Sequence, residues 1–144
     1  MGNMQNIIVA YDFSAHSDKA LAIAVTIARQ FKAKLWLIHV ADPEPGFIGY
    51  KVGPLSVREQ VAYELRDEHK KLHEIAEKYS DQSVEITPIF VQGPIIDTIF
   101  DQAEKVDADL IVAGHKGKSK LESALIGSVS RQLVERLRTP ILIC

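Results

Sequence analysis

Leu110-Ile111-Val112-Ala113-Gly114-His115-Lys116-Gly117 is the stretch that decides the fold: a continuous apolar run broken at once by glycine. A run of this kind, with no polar alternation, suits a strand covered on both faces of a parallel sheet. Working outward, four more short apolar runs appear, at Ile7 to Tyr11, Leu35 to Val40, Val84 to Val91 and Ile141 to Cys144. Those at Leu35 and Val84 also carry polar residues.

Segments of helical period separate the runs. Ser14 is placed to cap the first, with Ala20, Leu21, Ala24, Val25 and Ala28 along one face. The second presents Val61, Leu65, Leu72, Ile75, Ala76 and Tyr79. The third opens at Gly93-Pro94, with proline in the first helical turn, and continues through Ile95, Ile96, Ile99, Phe100, Ala103 and Val106. The fourth starts near Gly127-Ser128 with Val129, Leu133 and Leu137 inward, and Arg136 and Arg138 fall in its last turn. The order βαβαβαβαβ implies an α/β fold, a mostly parallel five-stranded sheet with helices on both faces. Such a doubly wound sheet must reverse its strand order somewhere, and ligands bind at that reversal.

At 144 residues, with no linker composition and no repeat, the expectation is a single domain over residues 1–144. A net charge of −2 without a basic stretch argues against a nucleic-acid groove. The one cysteine, Cys144, cannot close an internal disulfide. With no signal-peptide pattern and no apolar run near the ~20 residues of a membrane helix, a cytoplasmic, soluble chain is expected. One connection is long: Asp42 to Ser56 carries three prolines and three glycines along with Phe47, Ile48 and Tyr50, and reads as a lid, a partner surface or a packed surface loop.

The chemistry concentrates after the decisive stretch. Gly114-x-x-Gly117 is followed, nine residues later, by Gly127-Ser128-Val129-Ser130 at the start of a helix. Glycine lets a backbone approach a ligand closely, and a helix's first turn offers N–H groups and a positive dipole end to phosphate. Ser128 and Ser130 add hydroxyl donors. The Walker pattern is excluded, since its first glycine would fall on Val112. The dinucleotide fingerprint is missing after the first run, which continues Tyr11-Asp12-Phe13-Ser14. Neither a G-x-S-x-G elbow nor a C-x-x-C pair occurs. A receiver domain would need an aspartate after the third strand, where the chain reads Val91-Gln92-Gly93-Pro94.

The spacing Gly114-x-x-Gly117, nine residues, Gly127-Ser128 resembles the signature of the universal stress protein family, in its ATP-binding subgroup. Ile7 to Ser14, the helix through Ser17, Lys19, Ala20 and Leu21, and Thr139-Pro140-Ile141-Leu142-Ile143 resemble the family's opening and closing segments, so the likeness covers almost the whole chain. The resemblance implies strand order 3-2-1-4-5, with the reversal between the first and fourth strands. It further implies ATP (or ADP or AMP) as ligand, often with a divalent cation such as Mg2+ or Mn2+, and a homodimer through the last strand, Ile141 to Cys144. Carried over, Tyr11, Asp12 and Val40 would surround the adenosine, Ala113 and Gly114 would lie near the ribose, and Gly117, Gly127, Ser128, Val129 and Ser130 would hold the phosphates. The chain departs from the pattern at His115, usually a small hydroxyl residue, and at Lys120, often glycine.

Other groups carry a claim beside these. Asp12 can serve ribose or Mg2+, or simply cap the first helix. Of Lys116, Lys118 and Lys120, only Lys116 keeps a claim on phosphate; the others read as a solvated loop. His69 and His73, four apart, have a spacing able to chelate a transition metal. They fall at the edge of the apolar stripe with no cysteine or third histidine beside them, so a solvated face is expected. His39 reads as a packed strand residue. The leading functional expectation is a nucleotide-dependent regulatory protein of the stress response. The alternatives are a slow Mg-dependent ATPase or phosphotransferase using Asp12 or His115, and a dimeric adaptor with no ligand in its cleft.

Overall fold

The computed structural model describes residues 4–41, 55–81, 83–116 and 126–144, and over 55–63 the backbone alone. Its elements alternate as β1 (Asn6–Ala10), α1 (Ala15–Phe31), β2 (Lys34–Ala41), α2 (Leu55–Tyr79), β3 (Ile86–Gln92), α3 (Ile95–Lys105), β4 (Leu110–Ala113), α4 (Ser128–Glu135) and β5 (Ile141–Ile143). The strands form one sheet in the order β3-β2-β1-β4-β5, every pair parallel. Ile7 pairs with Leu35 on one side and Leu110 on the other, and Ala10 pairs with Ile38 and Ala113. The strand order therefore reverses between β1 and β4, as expected for a doubly wound sheet.

Period two along each strand sorts the core into two layers. Ile7, Val9, Leu35, Leu37 and Val112 pack with α1 and α2, where Leu21, Ala24, Ala28, Leu72 and Ala76 are buried. Ile8, Ile38, Ile111 and Ala113 pack with Ile99, Phe100 and Ala103 of α3 and Leu133 of α4. Both faces of the central strands are thus covered, which is why their sequences read as unbroken apolar runs. Pro88 lies in β3, an edge strand, where the missing N–H costs no interior ladder bond.

Three boundaries differ from the sequence reading. Pro94 stands at the cap of α3, with ψ at 127°, and the helix begins at Ile95; Thr98 N–H to Pro94 C=O is the first bond of the turn. Leu55 and Ser56 already belong to α2, while 42–54 lie outside the described residues. The third concerns α4, which stops at Glu135, so Leu137 is 59% exposed rather than inward. Arg136 and Arg138 likewise lie beyond its last turn. Pro140 disfavours helical backbone in the residue before it, and the chain leaves the helix to enter β5. Arg136 instead pairs with Asp97 of α3, and Arg138 sits over the Phe100 ring at 5.7 Å. Among the described residues no helix is long and apolar enough to cross a membrane.

Candidate functional site at the strand reversal

The reversal brings the carboxyl ends of β1 and β4 side by side, and the segments leaving them form the walls of the site. After Ala10 the chain turns sharply. Asp12 Oδ1 accepts the Ser14 N–H at 3.0 Å, and Ser14 Oγ accepts the Ser17 N–H at 3.1 Å as the N-cap of α1. Ser17, buried, donates its hydroxyl to Ser14 C=O at 2.9 Å. Phe13, at φ 64°, takes the left-handed conformation that a bulky residue adopts only when its surroundings fix it. Its ring lies edge-on between Tyr11, 5.0 Å away, and His39, 4.8 Å away.

Tyr11 turns its ring toward α1 and gives its hydroxyl to Asp18 at 2.5 Å. Burial, and then that hydrogen bond, hold the phenol well above its usual range. Its carbonyl faces Nδ1 of the buried His39 at 2.8 Å, so Nδ1 carries the hydrogen, and Nε2 of the same ring faces Glu68 of α2 at 3.2 Å. The peptide joining Tyr11 to Asp12 is thereby tied to both β2 and α2.

The other wall is made by the two glycine segments. The Gly127 N–H donates to His115 C=O at 2.5 Å, and the Ser130 hydroxyl donates to Gly114 C=O at 2.5 Å. Residues from the β4 exit and the α4 entry, separated by more than ten positions, are thus in direct contact. Gly127 is the N-cap and supplies no side-chain acceptor to the first turn, whose N–H groups and dipole are of the kind that favours an anion. Gly114 closes on the opposite wall: a Cβ built there would lie 2.8 Å from the backbone carbon and oxygen of His16 in α1. Only glycine lets β4 pass α1 this closely.

His115 binds three elements at once. Its N–H and its Nδ1 both donate to the main-chain oxygen of Cys144, at 2.6 and 2.8 Å, and its ring meets that of His16 edge-on at 4.4 Å. The Cys144 N–H returns to Ala113 C=O at 2.8 Å, and burial pushes the Cys144 thiol up from its ordinary range.

The residues proposed from sequence separate by side of the sheet. Val40, Ala113 and Val129 belong to the layer of α3 and α4, while the Tyr11 ring lies in the layer of α1 and α2. Gly114, His115, Gly127 and Ser130 meet directly, Ser128 is exposed, and Lys116 is half-buried beside them. Gly117, Lys118 and Lys120 lie outside the described residues. Sequence reasoning missed His16, Ser17 and the pair His39–Glu68. Ser17 could have been found from its three-residue spacing after the cap Ser14; nothing local marks His16 or Glu68, which reach the site only through tertiary packing.

A doubly wound parallel α/β protein whose two glycine-bearing segments meet at the strand reversal is the class that this fold and site define. The profile of the universal stress protein family matches residues 3–144, and the chain belongs to that family. It is 33% identical over 141 residues to the universal stress protein MJ0531 of Methanocaldococcus jannaschii, covering 96% of this chain and 81% of the relative. Among solved structures it resembles the universal stress protein UspA of Lactobacillus plantarum, with a TM-score of 0.82, 21% identity and 99% of both chains covered. A second, a universal stress protein in complex with cAMP, is 26% identical with a TM-score of 0.61, covering 99% of this chain and 97% of the other.

Proposed function

We propose that this chain binds an adenine nucleotide, foremost ATP, at the strand reversal, and serves as a nucleotide-dependent regulatory module in a cytoplasmic stress response. The observation that carries the reading is the 2.5 Å bond from Gly127 N–H to His115 C=O, which sets the open end of α4 against the β4 exit. Phosphate oxygens would take main-chain N–H groups of Ser128, Val129 and Ser130, with Lys116 and Gly117 alongside; the Gly127 N–H is given to His115 C=O, so Gly127 would serve the phosphates by close backbone approach. The Ser130 hydroxyl is given to Gly114 C=O, so its share is its N–H. Asp12 would meet the ribose hydroxyls or a Mg2+ or Mn2+ ion accompanying the phosphates, Val40 would offer backbone groups to the base, and Ala113 and Gly114 would line the ribose. Tyr11, its hydroxyl given to Asp18, its N–H to Ile38 C=O and its C=O facing His39, would line the adenosine by contact alone. The cAMP complex of a relative supports an adenine ligand.

Mass spectrometry of the small molecule released when the purified protein is denatured identifies the nucleotide. Melting with and without Mg-ATP measures its effect: at 100 times Kd the ligand adds about 2.7 kcal/mol of stability. No released nucleotide, together with no shift at millimolar Mg-ATP, would sink the assignment. A homodimer through β5 is part of the same proposal, supported by that strand's place at the sheet edge, where its outer backbone groups invite pairing. Light scattering tests it, and a monomer at tens of micromolar would exclude it.

A further inference from the structure

The exposed outer face of α2 carries a side-chain pair outside the cleft. His69 and His73 lie one helical turn apart, and their Nε2 atoms approach to 2.9 Å. The rings stand edge to face with centroids 4.6 Å apart. His69 is held in place, since its ring stacks on Phe90 of β3 at 5.3 Å and 29°. Phe90 in turn lies 5.5 Å from the ring of His39, whose Nε2 faces Glu68, so the neighbouring aromatic groups fix the direction in which His69 points.

Two imidazole nitrogens this close cannot both carry hydrogen toward each other; one donates to the lone pair of the other. A metal ion resolves the same encounter by accepting both lone pairs. In a tetrahedral zinc site with bonds of ~2.0–2.1 Å, two nitrogen ligands lie about 3.3 Å apart, so the rings need to part by only about 0.4 Å. The stacking on Phe90 has already removed much of the rotamer freedom that a chelating pair must lose. Glu77 follows one turn beyond His73 on the same stripe and adds negative charge.

We propose that His69 and His73 form a binding site for a borderline transition-metal dication, Zn2+ or Cu2+, with both Nε2 atoms as ligands and water in the remaining positions. Imidazole selects such ions over Mg2+ and Ca2+, which prefer oxygen donors. The site uses none of the residues proposed to hold the nucleotide.

The full chain is titrated with Zn2+, and separately with Cu2+, by calorimetry in nucleotide-free buffer containing excess Mg2+. Side-chain nitrogen resonances of the histidines are followed by NMR during the Zn2+ titration. The expected result is one equivalent bound, with shifts at Nε2 of His69 and His73 and not of His16, His39 or His115. Affinity falls roughly tenfold or more in His73→Ala, because the second ligand no longer acts at high effective concentration. A double variant, His73→Ala with Glu74→His, keeps the histidine count but moves one ring off the shared stripe, and it shows the same loss. Both variants change exposed positions and are checked for an unchanged melting temperature without metal. Equal affinity in the double variant and the parent overturns the proposal, as does displacement of Zn2+ by Mg2+ or shifts confined to the other histidines.

Discussion

Replacing Gly114 by alanine tests whether the β4 exit is wedged against α1. The added Cβ falls 2.8 Å from backbone atoms of His16, whereas ordinary contact begins at 3.4 Å, so the two walls must part by about 0.6 Å. The obstructing atoms are main chain within the first turn of α1, and no rotamer change relieves them. That turn is itself pinned by the Ser14 cap and the buried Ser17. Overpacking of this kind costs about 1–3 kcal/mol, offset by ~0.4–1 kcal/mol because alanine restricts the unfolded chain more than glycine does. The net expectation is a loss of about 1–2 kcal/mol. In urea, with a slope of about 2 kcal/mol per molar, the midpoint falls by roughly 0.5–1 M while the slope stays constant. Nucleotide affinity should fall as well, since the same displacement disturbs the Gly114–Ser130 contact that joins the β4 exit to α4. A midpoint unchanged or raised would show that β4 yields freely here and would refute the account of the wall.

Ser130→Ala removes the donor to Gly114 C=O and leaves that carbonyl short of a partner, for about 1–3 kcal/mol in chemical denaturation, whereas Ser128→Ala, at an exposed position, stays within about 0.5 kcal/mol. A Ser130 variant as stable as its Ser128 counterpart contradicts the clasp. Asp81, exposed, is held at about 2 against an ordinary 3.8, chiefly by the hydroxyl of Ser83, then by the Ser83 N–H. A depressed carboxyl binds fewer protons folded than unfolded, so its stabilisation is present above pH 4 and is lost as pH falls through about 2. Asp81→Asn should therefore flatten the stability profile in that acid window and leave its shape at neutral pH alone. Identical acid limbs would count against the Ser83 contacts. Tyr11 shows the opposite sense: its phenol stays protonated where unfolded tyrosine ionises, so stability declines as pH rises above about 10, and Tyr11→Phe should lessen that decline.

Much of the architecture was legible because the central strands are buried on both faces and so advertise themselves as apolar runs. The five strands and the first-helix face from Ala20 to Ala28 emerged at the residues where the structure has them, within a residue or two. The strand order came from family resemblance, since periodicity is silent about which strands are neighbours. Leu137 failed because its spacing from Leu133 continued a helical stripe that the chain itself leaves at Arg136, two residues after the last apolar position of that helix. The glycine spacing pointed to the cleft, yet the bonds that assemble it were hidden. Ser130 looked like a phosphate ligand by residue type, and its hydroxyl turns out to join the two glycine segments through Gly114 C=O. His115 looked like a departure from a motif, and it joins β5 to α4. Such roles depend on which backbone oxygen lies within reach, and that is decided only when distant segments pack.

The doubled acceptor at Cys144 makes the residue that follows β5 a structural component of the site. Both donors of His115 rest on one oxygen, so drawing Cys144 away from β4 would free its amide and its imidazole together. The carbonyl that receives Gly127 belongs to the same residue, and it would lose its anchorage. A disturbance at the rim of the sheet would thus be felt at the start of α4.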